Sequence, residues 1–261
     1  MGKQLRVGVI GVGAMGKNHA RIYSQLPGVE LIAVADVNET LAASIAQSYG
    51  CKAYTDYNDL LNENLDAVSI AVPTTLHKKV ALDAIKKGIN TLVEKPIADT
   101  VENADEIIEA ARRKGIKLMV GHVERFNPAI IKLKELIDNG LLGDVISISA
   151  KRVGHYNPRI RDVGIIIDLG THDIDIMSYL YGERIKEVYA SAGSVVHSHE
   201  DHAIITLNFN NGSSGVIDTN WLTPHKVRNL TVIGSKGIAE VNYIESTLRI
   251  FDREWVREAK I

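Results

Sequence analysis

A lysine at the end of an apolar run and a histidine among carboxylates are the residues of this chain best suited to moving a proton. Lys95 lies in Val93-Glu94-Lys95-Pro96. A lysine at the end of a parallel strand can point into the crevice where open α/β sheets bind their ligands. Pro96 keeps the residue before it out of helical geometry and so constrains the direction of the lysine. The second segment is Asp168-Leu169-Gly170-Thr171-His172-Asp173. On a helix Asp168 and His172, four apart, share a face; Asp175 can join them, whereas Asp173 points elsewhere. An imidazole titrates near pH ~6.5 when unperturbed, which suits a general base at neutral pH. Taken singly, Lys95 reads equally as a solvated strand-end lysine and His172 as a capping or core histidine. Both motifs in one chain favour the chemical reading.

A third segment, Gly11-Val12-Gly13-Ala14-Met15-Gly16, follows an apolar run and opens a helical pattern. Gly11 allows a tight turn, Gly13 lets backbone approach a pyrophosphate, and Gly16 lets helix and strand pack closely. The helix amino terminus that follows, beginning around Ala14 and Met15, offers N–H groups and a partial positive charge to phosphates. Asp36 ends the next apolar run, where a carboxylate accepts hydrogen bonds from ribose hydroxyls. It would repel the extra phosphate of NADP, and Val37-Asn38-Glu39 brings no arginine to receive one. The expected cofactor is therefore NAD rather than NADP. S-adenosylmethionine, the competing ligand, has no pyrophosphate for the glycine turn to cradle. The plain alternative for Asp36 is a helix cap.

Elements that place these residues can be read from periodicity. Leu5–Ile10, Val29–Ala35, Ala67–Val72, Asn90–Val93 and Lys117–Val120 read as strands, apolar on consecutive positions as parallel strands covered on both faces are. Helical patterns at Ala14–Gln25, Glu39–Tyr49, Leu76–Lys87 and Val101–Lys114 alternate with them. The last carries Val101, Ala104, Ile107, Ile108 and Ala111 as one stripe. This predicts an α/β Rossmann domain, a doubly wound parallel sheet, over residues 1–122. Residues 123–261 change character. After a helix at Pro128–Asn139, strands are expected at Asp144–Lys151, Lys186–Ser194, His202–Asn208, Ser214–Asn220, Val227–Ile233, Ile238–Tyr243 and Thr247–Phe251. Turns at residues 210–213 and 234–237 join some of them, and one helix, Ile167–Tyr181, interrupts the series. The expectation is an α+β domain with a mostly antiparallel, open-faced sheet.

Composition excludes several classes. The chain has 261 residues, a formal charge of −2 and no long block of one sign, so nucleic acid is not an expected partner. Cys51 is the only cysteine, which rules out an intrachain disulfide and a multi-thiolate zinc cluster. No apolar run reaches the roughly 18 residues of a membrane span, and the start of the chain runs straight into the first strand; a cytoplasmic protein is expected. His197-Ser198-His199-Glu200-Asp201-His202 invites a metal reading, but an exposed turn is the better explanation and no metal is expected.

At these residues the chain resembles the glucose–fructose oxidoreductase, inositol dehydrogenase and rhizopine-catabolism (Gfo/Idh/MocA) family. The matching pieces are the glycine turn, Pro73-Thr74-x-x-His77, Glu94-Lys95-Pro96, Gly121-x-x-x-Arg125-Phe126-Asn127-Pro128 and Asp168-x-x-x-His172-x-x-Asp175, in the family's order. The resemblance implies that Lys95, Asp168 and His172 form the catalytic group. It also implies that Pro73, Thr74, His77 and Glu94 lie near the cofactor, though helix capping by Thr74 or Thr75 explains that motif as well. A homodimer or homotetramer through the second domain's sheet follows from the same likeness. Which of Lys95 and His172 transfers the proton is left open, with Asp168 orienting His172 or the substrate.

Arg125, Asn127, Tyr156, Asn157, Arg159, Arg161 and Asp162 are the polar residues expected to meet a substrate. The stretch Arg152–Gly164 reads as a long loop, and Arg159 with Arg161 suits bidentate phosphate binding unless both pair with acidic neighbours. That loop looks like the one in family members that oxidise carbon 3 of UDP-N-acetylhexosamines, which favours a nucleotide sugar over a free sugar or inositol. Low aromatic content offers no obvious stacking pocket for the planar substrate that biliverdin-type chemistry would need. Family members usually continue for several elements past the point where this sequence stops, so the second domain is expected to be either cut short at its carboxyl end or a compact variant. Two rivals share the fold. A non-enzymatic NAD sensor would have no need of Lys95 with His172, and dihydrodiol- or biliverdin-type chemistry often prefers NADP.

Overall fold

Four apolar runs in the first half are largely buried, as parallel strands covered on both faces are, and two shorter, more exposed strands pair at their edges. The computed structural model describes residues 4–156, 158 and 163–252. Two units emerge, Met1–Gly121 and His122–Ile261. In the first, strands β1 (Leu5–Ile10), β2 (Val29–Ala35), β3 (Lys52–Tyr54), β4 (Ala67–Ile70), β5 (Asn90–Val93) and β6 (Leu118–Val120) lie in the order β3-β2-β1-β4-β5-β6. Strand order reverses between β1 and β4, and open α/β sheets bind ligands beyond the carboxyl ends at such a point. Val9, Ala33, Val34, Ile70 and Val93 are all inaccessible to solvent. A fully buried side chain of valine or isoleucine size contributes roughly 1.5–3 kcal/mol, so the strands need no alternating pattern.

Helices α1 (Gly16–Gln25) and α2 (Glu39–Tyr49) pack on one core cluster, α4 (Thr74–Lys86) and α5 (Val101–Lys114) on another. The expected strands and helices of this half are found within about two residues. Two elements escaped the pattern, β3 and the four-residue α3 (Tyr57–Leu60). Both are too short to show a period, and β3 exists because β2 offers it a pairing edge at Ala33–Ala35. The α5 stripe is narrower than expected. Ile107 and Ala111 are buried, but Val101 and Ile108 are exposed, since consecutive residues stand about 100° apart on a helix.

Helix starts differ in how they are capped. Asn38, Asp56 and Thr100 cap α2, α3 and α5 with side-chain oxygens. By contrast, α1 and α4 have no side-chain cap and no acid in the first turn.

The second unit opens with a 3₁₀ turn, Val123–Phe126, and helix α6 (Pro128–Asp138), capped by Asn127 with Pro128 at its first turn. Strands β7 (Val145–His155), β8 (Ile185–Gly193), β9 (His202–Phe209), β10 (Ser214–Asn220), β11 (Leu222–Gly234), β12 (Gly237–Asn242) and β13 (Thr247–Asp252) form one sheet. Its order is β13-β12-β11-β7-β10-β9-β8, and among the described residues only β7 and β10 pair in parallel. Helix α7 (Thr171–Tyr181) packs over β7 and β10, α6 over β12 and β13. Among the described residues, nothing packs on the other face, whose side chains are exposed or half-buried. Register aligns Tyr189, Thr206, Val216, Ser149, Thr231, Glu240 and Arg249 in one row across the seven strands. Most of that row is small.

Strand β7 continues to His155, so the segment expected as a loop from Arg152 is strand for its first four residues. Register with β11 explains the extension, because Leu222, Val227 and Arg228 pair with His155, Val153 and Arg152. Among the described residues, no helix is long and apolar enough to cross a membrane.

Candidate active site

The glycine turn is shaped by two contacts with protein and one opening. Gly11 has φ +80°, and a Cβ there would lie 2.7 Å from the Ala71 carbonyl oxygen. At Gly16 a Cβ would fall 1.7 Å from the Gly11 carbonyl oxygen. Nothing in the protein lies within 4 Å of where a Cβ on Gly13 would be. Folding therefore accounts for Gly11 and Gly16, whereas the bare backbone at Gly13 faces space that an incoming group can fill. Asp36 borders the same turn. Its Oδ2 accepts the Val12 N–H at 2.9 Å and its Oδ1 accepts the Asn38 N–H at 2.9 Å. A carboxylate offers about four acceptor positions, so two remain for ribose hydroxyls. With the uncapped, acid-free start of α1 beside them, these residues fit a dinucleotide with two unesterified ribose hydroxyls.

Lys95 sits just past β5, in a turn fixed from three directions. The Glu94 side chain is largely buried; its Oε1 lies 2.8 Å from His19 Nε2 on α1, and its Oε2 accepts the Lys95 N–H at 3.2 Å. Gly121, at the end of β6, leaves room for that carboxylate, since a Cβ there would come within 3.0 Å of it. The Lys95–Pro96 peptide is cis. His77, buried on α4, places Nδ1 2.8 Å from the Pro96 carbonyl and Nε2 2.9 Å from the Val72 carbonyl. The Pro73-Thr74-x-x-His77 motif and the Glu94-Lys95-Pro96 motif thus meet through one imidazole. Thr74 is the first residue of α4, and the cap position is Pro73, so neither Thr74 nor Thr75 caps the helix.

In the second unit Asp168 lies in a π-helical turn, Ile166–Gly170, that runs into α7, whose second residue is His172. Such turns concentrate at functional sites. Asp168 N–H donates to the Gly164 carbonyl at 3.0 Å. Asp173, next to His172, faces the sheet and is buried against Arg152 of β7, with Nε–Oδ2 2.8 Å and Nη2–Oδ1 3.0 Å. Arg152 also donates to Glu124 Oε1 at 2.8 Å and lies 4.9 Å from the Tyr243 ring centre. Sequence pattern alone places Arg152 only at the start of an expected loop, because its partners lie far away in the chain.

Other expected residues have structural partners. Arg125 holds Asp175 with two hydrogen bonds, 2.8 and 2.5 Å, so Asp175 serves the arginine. Asn127 accepts the Ala129 N–H at 3.0 Å as the cap of α6. Tyr156 stacks on His197, ring centres 3.9 Å apart, with Trp221 edge-on at 5.0 Å; the chain thus carries an aromatic cluster that composition concealed. Asn157, Arg159, Arg161 and Asp162 lie outside the described residues.

The segment 197–202 is more than an exposed turn. Asp201 is fully buried and accepts the N–H groups of Val195, Val196 and His197 while facing His202. Among the described residues there is no group of three or more His, Cys, Asp or Glu placed to hold a metal ion.

Residues 5–122 match the model of the oxidoreductase family with an NAD-binding Rossmann fold (GFO_IDH_MocA), and residues 130–240 match a GFO/IDH/MocA C-terminal domain. UDP-N-acetylglucosamine 3-dehydrogenase of Acidithiobacillus ferrooxidans is 32% identical over 95% of this chain and 77% of its own length. Its solved structure superposes with a TM-score of 0.89 over 96% of this chain and 80% of that one. Myo-inositol 2-dehydrogenase of Thermotoga maritima is 30% identical over 98% of this chain and 81% of its own length. A levoglucosan dehydrogenase solved with NADH is 25% identical, with a TM-score of 0.88 over 96% of this chain and 77% of that one.

Proposed function

The chain belongs to the Gfo/Idh/MocA oxidoreductase family and carries its NAD-binding Rossmann fold, and from that premise we propose that it oxidises a secondary alcohol of a sugar or nucleotide sugar. The observation that carries this reading is a run of contacts at the carboxyl end of the first sheet. Gly11 packs on Ala71, the next residue's carbonyl meets the His77 ring, and His77 meets the carbonyl of Pro96, beside Lys95. One framework therefore sets both the phosphate turn and the lysine, at the switch point where such sheets bind ligands.

When bound, NAD supplies the acceptor for a hydride from the alcohol carbon. The chain's residues handle the proton and the charge. His172 takes the hydroxyl proton as general base, a role worth roughly 10²–10⁴ in rate. Lys95 donates a hydrogen bond to the oxygen as it gains alkoxide character. Asp168 orients His172 or the substrate. Thr74, His77 and Glu94 line or support the nicotinamide end, and Arg125, Asn127, Tyr156, Arg159, Arg161 and Asp162 serve the substrate.

The first unit is the cofactor domain; the second binds substrate and, through its open sheet face, a second copy of the chain. Small side chains along the row through Ser149, Thr206 and Thr231 support close sheet-to-sheet approach into a dimer or tetramer. The protein works in the cytoplasm. Among substrates, the 32% identity to a UDP-N-acetylglucosamine 3-dehydrogenase supports carbon 3 of a UDP-N-acetylhexosamine; the inositol dehydrogenase match supports inositol as the second reading.

NADH formation with UDP-N-acetylglucosamine and with myo-inositol tests the proposal. Turnover of the nucleotide sugar is expected, and activity on inositol alone overturns that substrate. Lys95→Ala and His172→Ala should each lower kcat about 100-fold or more while NADH fluorescence titration shows intact binding. Unchanged turnover in both removes the mechanism.

A further inference from the structure

We propose that His19 is a positioning residue for Lys95, acting through Glu94 and tying the lysine to the helix that follows the phosphate turn; this rests on the reading of Lys95 given above. The Glu94 carboxylate occupies a closed place. One oxygen faces the imidazole of His19 at 2.8 Å, the other accepts the N–H of Lys95 at 3.2 Å, and Gly121 abuts it where any side chain would collide. Its partners are thus internal, so its job is to hold the turn.

His19 is the fourth residue of α1, one turn from Gly16, which is clamped against Gly11. Its side chain is 16% exposed and that of Glu94 12%. The ring of Tyr23, one turn further along α1, lies 6.2 Å from that of His19, and its hydroxyl pairs with the buried Ser69 of β4 at 2.6 Å. Helix α1 is thereby pinned to β4 by Tyr23 and to the Lys95 turn by His19. A buried carboxylate that loses its strong donor seeks another partner or another rotamer. Because its second oxygen holds the Lys95 backbone, that rearrangement moves the base of the lysine side chain. The glycine turn and the lysine belong to one rigid assembly, so the residue that aligns Lys95 sits on the element that begins at the phosphates.

Glutamine can place an amide N–H about where Nε2 lies, whereas asparagine is too short and alanine has no donor. With UDP-N-acetylglucosamine as the probe substrate, His19→Ala and His19→Asn should lower kcat about 10- to 100-fold, the effect of losing a hydrogen bond to a charged group. NADH affinity should stay near the parent's, the thermal midpoint should fall by only several degrees so that the protein is still folded at the assay temperature, and His19→Gln should recover most of kcat. A residue that acts through Lys95 adds nothing once the lysine is gone, so His19→Ala/Lys95→Ala should be no slower than Lys95→Ala. Multiplying losses overturn the proposal, as does a loss of thermal midpoint that by itself accounts for the lost activity.

A second readout needs no substrate. Acetic anhydride labelling of Lys95 in NAD-saturated protein, followed by peptide mass spectrometry, should change severalfold in His19→Ala and return in His19→Gln. Equal labelling in all three overturns the positioning role whatever the substrate is. If Lys95→Ala alone leaves turnover intact, the catalytic reading of Lys95 fails instead.

Discussion

Replacing Asp173 by Asn strikes the second unit where it can least rearrange. The Asp173 and Arg152 side chains are 1% and 4% exposed, and two hydrogen bonds join them. The substitution removes the carboxylate and leaves the guanidinium buried with Glu124, itself 21% exposed, as its remaining charged partner. Unit charges about 4 Å apart interact by about 4 kcal/mol at the effective dielectric of protein sites. Breaking a buried pair by deleting one member costs about 3–5 kcal/mol. For a domain of this size that lowers the thermal midpoint by roughly 10 °C. Both tryptophans, Trp221 and Trp255, lie in the second half, so urea unfolding followed by tryptophan fluorescence reports on that unit. Asp173→Asn should shift its curve by the amount given, while NADH binding, a property of the first unit, persists. Arg152→Met/Asp173→Leu should recover most of the loss, because an apolar pair of similar volume carries no desolvation cost. A single-variant cost below about 1 kcal/mol, the range of exposed pairs, refutes the reasoning. A double variant as unstable as the single one does so too.

Further outcomes follow from the same geometry. Gly13→Ala should fold with stability within about 0.5 kcal/mol of the parent, as for a substitution that touches nothing, yet lose NADH binding in fluorescence titration. Gly16→Ala, whose Cβ falls on a carbonyl oxygen, should lose stability as well as binding, measured by thermal unfolding. Asp36→Asn should narrow the preference for NAD over NADP, read as the ratio of the two kcat/KM values. Burial would raise the Asp201 carboxyl, but His202 and the N–H groups of Val196, Val195 and His197 prevail and hold it well below the usual range. A depressed folded-state value gives stability that is present above the unfolded value of about 3.9 and is lost as pH falls below it. Acid titration of tryptophan fluorescence should show that loss, and Asp201→Asn should flatten it.

Much of the fold was legible because the parallel strands are apolar at successive positions and are separated by turns rich in glycine. Glu39–Tyr49, Asn90–Val93 and Ser214–Asn220 were placed to the residue. What escaped was held by partners distant in sequence. Strand β3 depends on β2, and the extension of β7 to His155 depends on β11. The glycine turn, Asp36 and the Lys95 turn could be read because local spacing sets them. His19, Arg152 and Asp201 could not, since each gains its meaning from a partner 75 or 21 positions away or from a buried turn. A lone histidine three residues past Gly16 was the only trace of the first. Arg152 gave a fainter one, an arginine among alternating strand residues at a position that faces inward.

The uneven treatment of helix beginnings ties assembly of the first unit to its cofactor. Side-chain oxygens close the starts of α2, α3 and α5, whereas α1 begins with neither cap nor acid. A missing cap withholds about 1 kcal/mol from the empty protein. Pyrophosphate oxygens can supply those acceptors, so that amount enters the binding equilibrium as added affinity. Amide exchange in the first turn of α1 then becomes a gauge of loading, fast in the vacant chain and slowed as dinucleotide concentration rises through its dissociation constant.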